Sequence, residues 1–240
     1  MITKRLLLLA SLLVLGAAVV GCTGVVGNGD VIEETRTLDS FNKISISGAG
    51  SVVVEYGESE SVRIEAESNV MEYLETEVRG DTLEIGTRNG VDITTTRNFH
   101  FYLTVTNLEA VEVSGAADVT LPNVQANDFE IRISGTGNVT IQSLQADSLD
   151  VEISGAGNVN LEGGEVQSQD VTISGAGGYN GRELVSQDAQ VDLSGAGNIT
   201  LNVTAELRGS ASGAGSVLYA GEPETVDVDV SGAGSVNALD

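Results

Sequence analysis

The sequence is poor in the residues from which many proteins build their sites. It has one cysteine, one histidine, no tryptophan, two prolines, five tyrosines and four phenylalanines among 240 residues. A lone cysteine, Cys22, excludes an internal disulfide, so the fold must be held by core packing and backbone ladders. A lone histidine, His100, sits between Phe99 and Phe101 on the opposite parity and reads as a solvent-facing strand residue. It has no indicated partners for a metal site or a nucleophilic triad. Basic residues are scarce, 11 Lys and Arg against 35 Asp and Glu, for a formal net charge of −24. Such a surface repels nucleic acid and anionic lipid, and neither is an expected partner. The acids are dispersed, which reads as solvation and not as a divalent-cation site; no metal or cofactor is expected. No apolar run after Cys22 is long enough to span a bilayer. Helical spacing is nearly absent, the one exception lying around Met71.

What the chain does have is one phrase written eight times. Ser-Gly-Ala-Gly or a near variant begins at Ser47, Ser114, Ser134, Ser154, Ser174, Ser194, Ser212 and Ser231. From Ser114 to Ser194 the step is 20 residues, and the last two steps are 18 and 19. A fixed period of this length means stacked units. Around each phrase the apolar residues alternate: Ile131, Ile133, Val139 and Ile141; Val151, Ile153, Val159 and Leu161; Val191, Leu193, Ile199 and Leu201. This is strand patterning with one buried face. The parity is unchanged across the phrase, so Ser154, Ala156 and Asn158 face outward. Gly155 and Gly157 either face inward where a side chain would not fit, or take positive φ at a corner.

Hairpins would need turn signals at twice this frequency, and after residue 30 Asn-Gly occurs only at Asn89 and Asn180. The expectation is therefore an all-β, single-domain parallel β-helix with coils of about 20 residues. Such a coil has a path of about 66 Å, enough for aliphatic side chains and little more. The 67 residues from Ser47 to Ser114 read as about three coils with their phrases lost. On the order of ten coils then make a rod roughly 50 Å long.

Residues 1–21 read as an export signal: Lys4 and Arg5, then an apolar run too short to span. Val19-Val20-Gly21-Cys22 resembles the lipobox of bacterial lipoproteins, with Val19 in place of the usual Leu. The resemblance implies cleavage before Cys22 and acylation of its sulfur by palmitate-type chains, which gives lasting membrane attachment without crossing. Losing Lys4 and Arg5 moves the formal charge from −24 to −26. Residues 22–30, with Gly24, Gly27 and Gly29, read as the acylated cysteine and a flexible tether. Residues 31–240 read as the β-helix domain.

Longer phrases add a resemblance. Arg36-Thr-Leu-Asp-Ser-Phe-Asn-Lys-Ile-Ser-Ile-Ser-Gly-Ala-Gly50, Val52-Val-Val-Glu-Tyr-Gly57, Ser61-Val-Arg-Ile-Glu65, Leu74-Glu-Thr-Glu-Val78, Asp81-Thr-Leu-Glu-Ile85 and Leu108-Glu-Ala-Val-Glu-Val-Ser-Gly-Ala116 follow in this order. They resemble the bacterial family called putative autotransporter adhesin, head GIN domain, over about 35–240. The resemblance implies a right-handed parallel β-helix on an exported or lipid-anchored protein, and it transfers no active site. The chain shows no barrel-forming segment after the repeats, so self-secretion is not expected.

Two functional readings follow. In the first, the protein is non-catalytic and lies on the bacterial envelope, on the outer membrane where there are two. It then acts in adhesion, interaction or envelope structure. Its candidate stripe is Ser134, Asn138, Ser154, Asn158, Ser174, Ser194 and Asn198, which stacked coils would align. The stripe reads first as a hydrogen-bonded ladder and second as a contact face for carbohydrate, an envelope protein or, through the β-helix ends, another copy. The alternative is a polysaccharide-processing enzyme, which needs converging carboxylates. Here Glu112, Asp150, Glu152, Asp192, Asp227 and Asp229 alternate with apolar residues. Glu33-Glu34 and Glu58-Ser-Glu60 fall in expected loops. Gly-Ala-Gly lacks the lysine and following helix of a phosphate loop. Asp118 is the one acid that follows it, unlike calcium-binding nonapeptides. Thr94-Thr95-Thr96 is too isolated for an ice-binding array.

Overall fold

A computed structural model describes residues 23–239. Residues 1–22, with the expected export signal and Cys22, lie outside the described residues. The chain is a β-solenoid, 68% strand, with about six regular turns of about 20 residues. Among the described residues the one helical piece is a 3-10 turn at Met71–Tyr73, where the sequence shows its brief helical spacing.

Each turn has three sides. Strands ahead of the phrase, at 110–113, 128–133, 148–153, 168–173, 188–193, 206–211 and 225–230, form one parallel column. Strands after it, at 118–121, 138–141, 158–161, 178–181, 198–202, 216–220 and 235–238, form a second. A short third column runs through 123–125, 143–146, 164–166 and 184–186. Period-two patterning sends alternate residues inward, so equivalent side chains stack in ladders. Val119, Val139, Val159, Tyr179, Ile199 and Val217 are one such ladder, and all six are buried.

The motif glycines are required by close approach between turns. A Cβ on Gly135, Gly155, Gly175 or Gly195 would fall far inside contact with the carbonyl oxygen of the equivalent glycine one turn before. A Cβ on Gly157 would also lie 2.7 Å from Cγ2 of Ile133. Of the two readings of the phrase, exclusion of a side chain holds in the central turns. Positive φ is confined to the end copies, at Gly50 (φ 123°) and Gly232 (φ 97°).

Within the regular turns the described interior departs once from apolar packing. Tyr179 Oη donates to Gln169 Oε1 (2.6 Å), Gln169 Nε2 donates to Ser186 Oγ (2.6 Å), and Ser186 Oγ donates to the Asn202 carbonyl (3.1 Å). Gly181 leaves room for the phenol: a Cβ there would meet Tyr179 Oη at 2.6 Å. The third column loses register at this level, between Gly181 and Val185 and between Ser186 and Asp188.

The first 80 described residues do not wind in chain order. Val31–Thr37 runs antiparallel to Ser61–Glu67, which runs antiparallel to His100–Val105. Leu74–Arg79 and Thr82–Thr87 form a hairpin. Thr82–Thr87 and His100–Val105 then stack in parallel on Lys43–Ile46 and Ala49–Tyr56, which stack on the strands at 110–113 and 116–120. The spatial order is therefore 82–105, 43–56, 110–125. This corrects the expectation of three coils between Ser47 and Ser114. Those serines are direct neighbours, with Ser114 N bonded to the Ile46 carbonyl at 2.9 Å and Ala116 N to the Gly48 carbonyl at 2.9 Å. The excursion between them makes a cap. With the cap's strand counted, the first column is nine strands deep, close to the ten expected, but about six belong to regular turns.

The segment expected to be a tether is paired. Thr23–Val26 runs parallel to Val91–Thr94, and Glu33 and Glu34 lie in the strand Val31–Thr37, not in a loop.

Candidate functional site

The phrase forms a corner, and the backbone ladder continues straight through it. Ser134 N, Ser154 N, Ser174 N and Ser194 N donate to the carbonyls of Val113, Ile133, Ile153 and Ile173 at 2.9–3.0 Å. Thr136 N, Ala156 N, Ala176 N and Ala196 N donate to Gly115, Gly135, Gly155 and Gly175 at 2.9–3.0 Å. The glycines let the turns approach, the amides lock them, and Ser134, Ser154, Ser174 and Ser194 emerge exposed in one column. At the start of the column Ser47 and Ser114 turn their hydroxyls back to the carbonyls of Ile85 and Ile46, each at 3.4 Å.

The asparagines divide. Asn138 Nδ2 donates to Asp118 Oδ1 (2.7 Å), and Asn158 Nδ2 and N donate to Asn138 Oδ1 (2.9 and 3.2 Å). Gly178 occupies the next rung, so Asn198 is not part of that ladder; its Oδ1 accepts from Ser216 N (3.2 Å). A second amide ladder lies beside the first, Asn180 Nδ2 to Asn160 Oδ1 at 2.7 Å. Its signal was the same 20-residue spacing, two positions further from the glycines.

The charged groups lie elsewhere. Outward positions of the first column stack Glu130, Asp150, Asp170, Gln190 and Arg208 one above another. Partial burial, with Asp150 and Asp192 adding repulsion, raises the Asp170 carboxyl above its ordinary value. Arg132 pairs with Glu130, and with Glu152 at 3.4 Å. Among the described residues no group of three or more His, Cys, Asp or Glu is arranged to hold a metal ion. His100 is half-buried and stacks on Tyr102, with ring centroids 6.3 Å apart. In the cap, Glu60 accepts from Thr106 Oγ1 (2.7 Å), and Glu34 pairs with Arg36 (2.6 Å). These acids serve local structure.

One carboxylate has a role that the sequence did not reveal. Glu67 is 1% exposed. It accepts from Gly29 N (2.6 Å), Thr96 Oγ1 (2.6 Å) and Thr96 N (3.1 Å). The Thr96 hydroxyl, followed by the backbone amides of Gly29, Thr96 and Arg97, holds it below the usual carboxylate range against the desolvation of burial. Glu67 thus clasps the segment that follows Cys22 onto the cap, aided by Asn69 Nδ2 on the Val26 carbonyl (2.8 Å).

Comparison with known proteins places this architecture. Residues 40–223 match the family described as "Putative auto-transporter adhesin, head GIN domain". A solved structure of a putative adhesin from Bacteroides fragilis superposes with a TM-score of 0.85 at 23% identity, covering 90% of this chain and 100% of that one. A putative lipid binding protein from Parabacteroides distasonis superposes with a TM-score of 0.76 at 20% identity, covering 91% and 100%. A putative adhesin from Parabacteroides merdae gives 0.66 at 21% identity, covering 91% and 100%. At these identities the likeness is one of fold. No curated protein matches the chain.

Proposed function

Since the chain belongs to the head GIN domain family of putative auto-transporter adhesins, we propose that it is an exported, non-catalytic surface protein that presents its β-solenoid for adhesion, interaction or envelope structure. A lipid on Cys22 holds it to the membrane. The observation that carries this reading is the corner stripe. Ser134, Ser154, Ser174 and Ser194, with Thr136, Ala156, Ala176 and Ala196 between their glycines, form an uncharged, regular strip on a molecule of net charge −24. Turn-to-turn backbone bonds fix that strip, so little conformational entropy is lost when a partner lies on it. The non-catalytic part is supported by the family description, which names putative adhesins. Lipid anchoring is supported by the lipobox-like segment ending at Cys22. Among the described residues no helix is long and apolar enough to cross a membrane.

Two measurements test the reading. Cys22→Ala is expected to abolish palmitate labelling and release the protein from the membrane fraction; continued attachment would remove the anchor. A binding screen against glycans and envelope proteins is expected to yield a partner lost with Ser154→Arg and Asn158→Arg in a variant that melts normally. Full binding by that variant would move function off the stripe. Self-association is a second reading, favoured by Val226 (43% exposed) and Val230 (49% exposed) on the last described turn. A concentration-dependent sedimentation coefficient would support it.

A further inference from the structure

The regular turns begin one side short. The third column starts at residues 123–125, which pair with 143–145. In the preceding coil the chain turns away at Tyr56 and Gly57 to enter the cap, and the segment at 106–109 crosses in its place. Two adjoining depressions result. One, of about 460 Å³, is lined by Tyr56, Pro122, Asn123 and Gln125. The other, of about 580 Å³, is lined chiefly by Asn107, Glu109, Gln125, Asn127, Asp128 and Gln145. Gln125 lines both, so the two depressions meet at its side chain and make up one grooved stretch of surface.

Its chemistry is unlike that of the rest of the surface. At 38% exposure, Tyr56 is the one aromatic ring among the exposed large hydrophobic side chains of the described residues. Tyr102 is covered by the Arg63 guanidinium and Tyr73 by that of Arg88, Tyr219 is partly buried against the core, and Tyr179 and the four phenylalanines are buried. The polar wall is set before any ligand arrives. The two oxygens of Glu109 accept from Asn42 Nδ2 (2.7 Å) and Asn107 Nδ2 (3.2 Å). Asp128 accepts from Ser148 Oγ (2.5 Å). Gln125, Asn127 and Gln145 add amides, and neither Lys nor Arg lines the groove.

We propose that this groove binds a neutral saccharide, one sugar ring lying on Tyr56 and its hydroxyls shared between the amides and the carboxylates of Glu109 and Asp128. A pyranose has an apolar C–H face and a rim of hydroxyls that both donate and accept. An exposed ring beside interleaved amides and fixed carboxylates matches both features. Because Glu109 is already oriented, less ordering is lost on binding. An anionic sugar would meet two carboxylates and no cation. This inference rests on the reading of an exported interaction protein and adds to the stripe a second, separate contact with its own ligand class.

The test uses the full chain in detergent on arrays of neutral glucans, mannans, galactans and chito-oligosaccharides beside sialylated and sulfated glycans, with hits remeasured by calorimetry. Neutral binding is expected. Tyr56→Ala should weaken it about tenfold and Gln125→Ala about threefold, while Tyr56→Phe stays within about twofold. The stripe variants Ser154→Arg and Asn158→Arg should bind as the parent does. No neutral glycan bound, a preference for anionic glycans, or parent-like affinity in a normally melting Tyr56→Ala protein would overturn the groove. Glycan binding lost in the stripe variants alone would overturn it too, yet leave the interaction reading intact. Silence from glycans and envelope proteins alike would remove both.

Discussion

The turns after residue 110 and the cap before it face the same task, burying aliphatic strands without a disulfide, and they solve it differently. The turns use repetition. Each rung presents its neighbour with the same parallel edge, the same inward aliphatics and, from Gly135 onward, the same two glycines, so contacts are local in the stack. The cap uses antiparallel pairs, positive-φ glycines at exposed turns such as Gly80 and Gly90, and side chains that reach across sequence, Glu67 above all. Repetition tolerates no bulk at its corners; the cap tolerates bulk but depends on single polar contacts.

Glycine substitution should separate the two regions most sharply. Gly155→Ala forces a Cβ against the Gly135 carbonyl and is expected to cost about 3 kcal/mol, as overpacking of a tight interior does. Gly90→Ala meets open space at φ +80° and should cost about 1 kcal/mol, from backbone strain alone. Urea unfolding of both variants measures the gap, and equal losses would break the contrast. Next is the one place where the turns imitate the cap. Tyr179→Phe strips Gln169 Oε1 of its buried donor and is expected to cost about 2 kcal/mol in the same assay.

Glu67→Gln should act in the cap alone. Amide exchange is expected to speed at Gly29 and Thr96 while the central turns keep their protection. Acid should do the same to the parent. Because the folded Glu67 carboxyl titrates below its ordinary value, its contribution is fully present above the ordinary carboxylate range. It fades as pH falls through the lowered folded value. Loosening of residues 23–30 on going from pH 7 toward pH 3, absent in Glu67→Gln, checks the sign. The smallest effect belongs to the exposed amide ladder: Asn158→Ala should cost about 0.5 kcal/mol, since water replaces much of what Asn138 loses.

The same contrast explains what could be read from the sequence. Period-two alternation and the 20-residue step fixed the solenoid, the outward serines and the inward aliphatics, because both signals are carried by residues that end up adjacent. The cap has no period. Nothing local says that Thr82–Thr87 will lie under Lys43–Ile46, or that a Gly-rich stretch that reads as flexible will be caught by a carboxylate about 40 residues away. Gln169 hides for a related reason. It occupies a rung flanked by Leu149 and Ala189, and only the tyrosine of the neighbouring side makes its burial intelligible. The Tyr56 groove follows from the non-sequential stacking, so it too was invisible until the cap was placed.

The coil at 43–56 is roofed and floored by strands that both come later in the chain. An emerging polypeptide therefore cannot complete this layer until roughly residue 120 is free to fold. From then on, each further score of residues finds a finished template waiting. Assembly should run as a zipper with one slow start, and the cap decides when that start occurs.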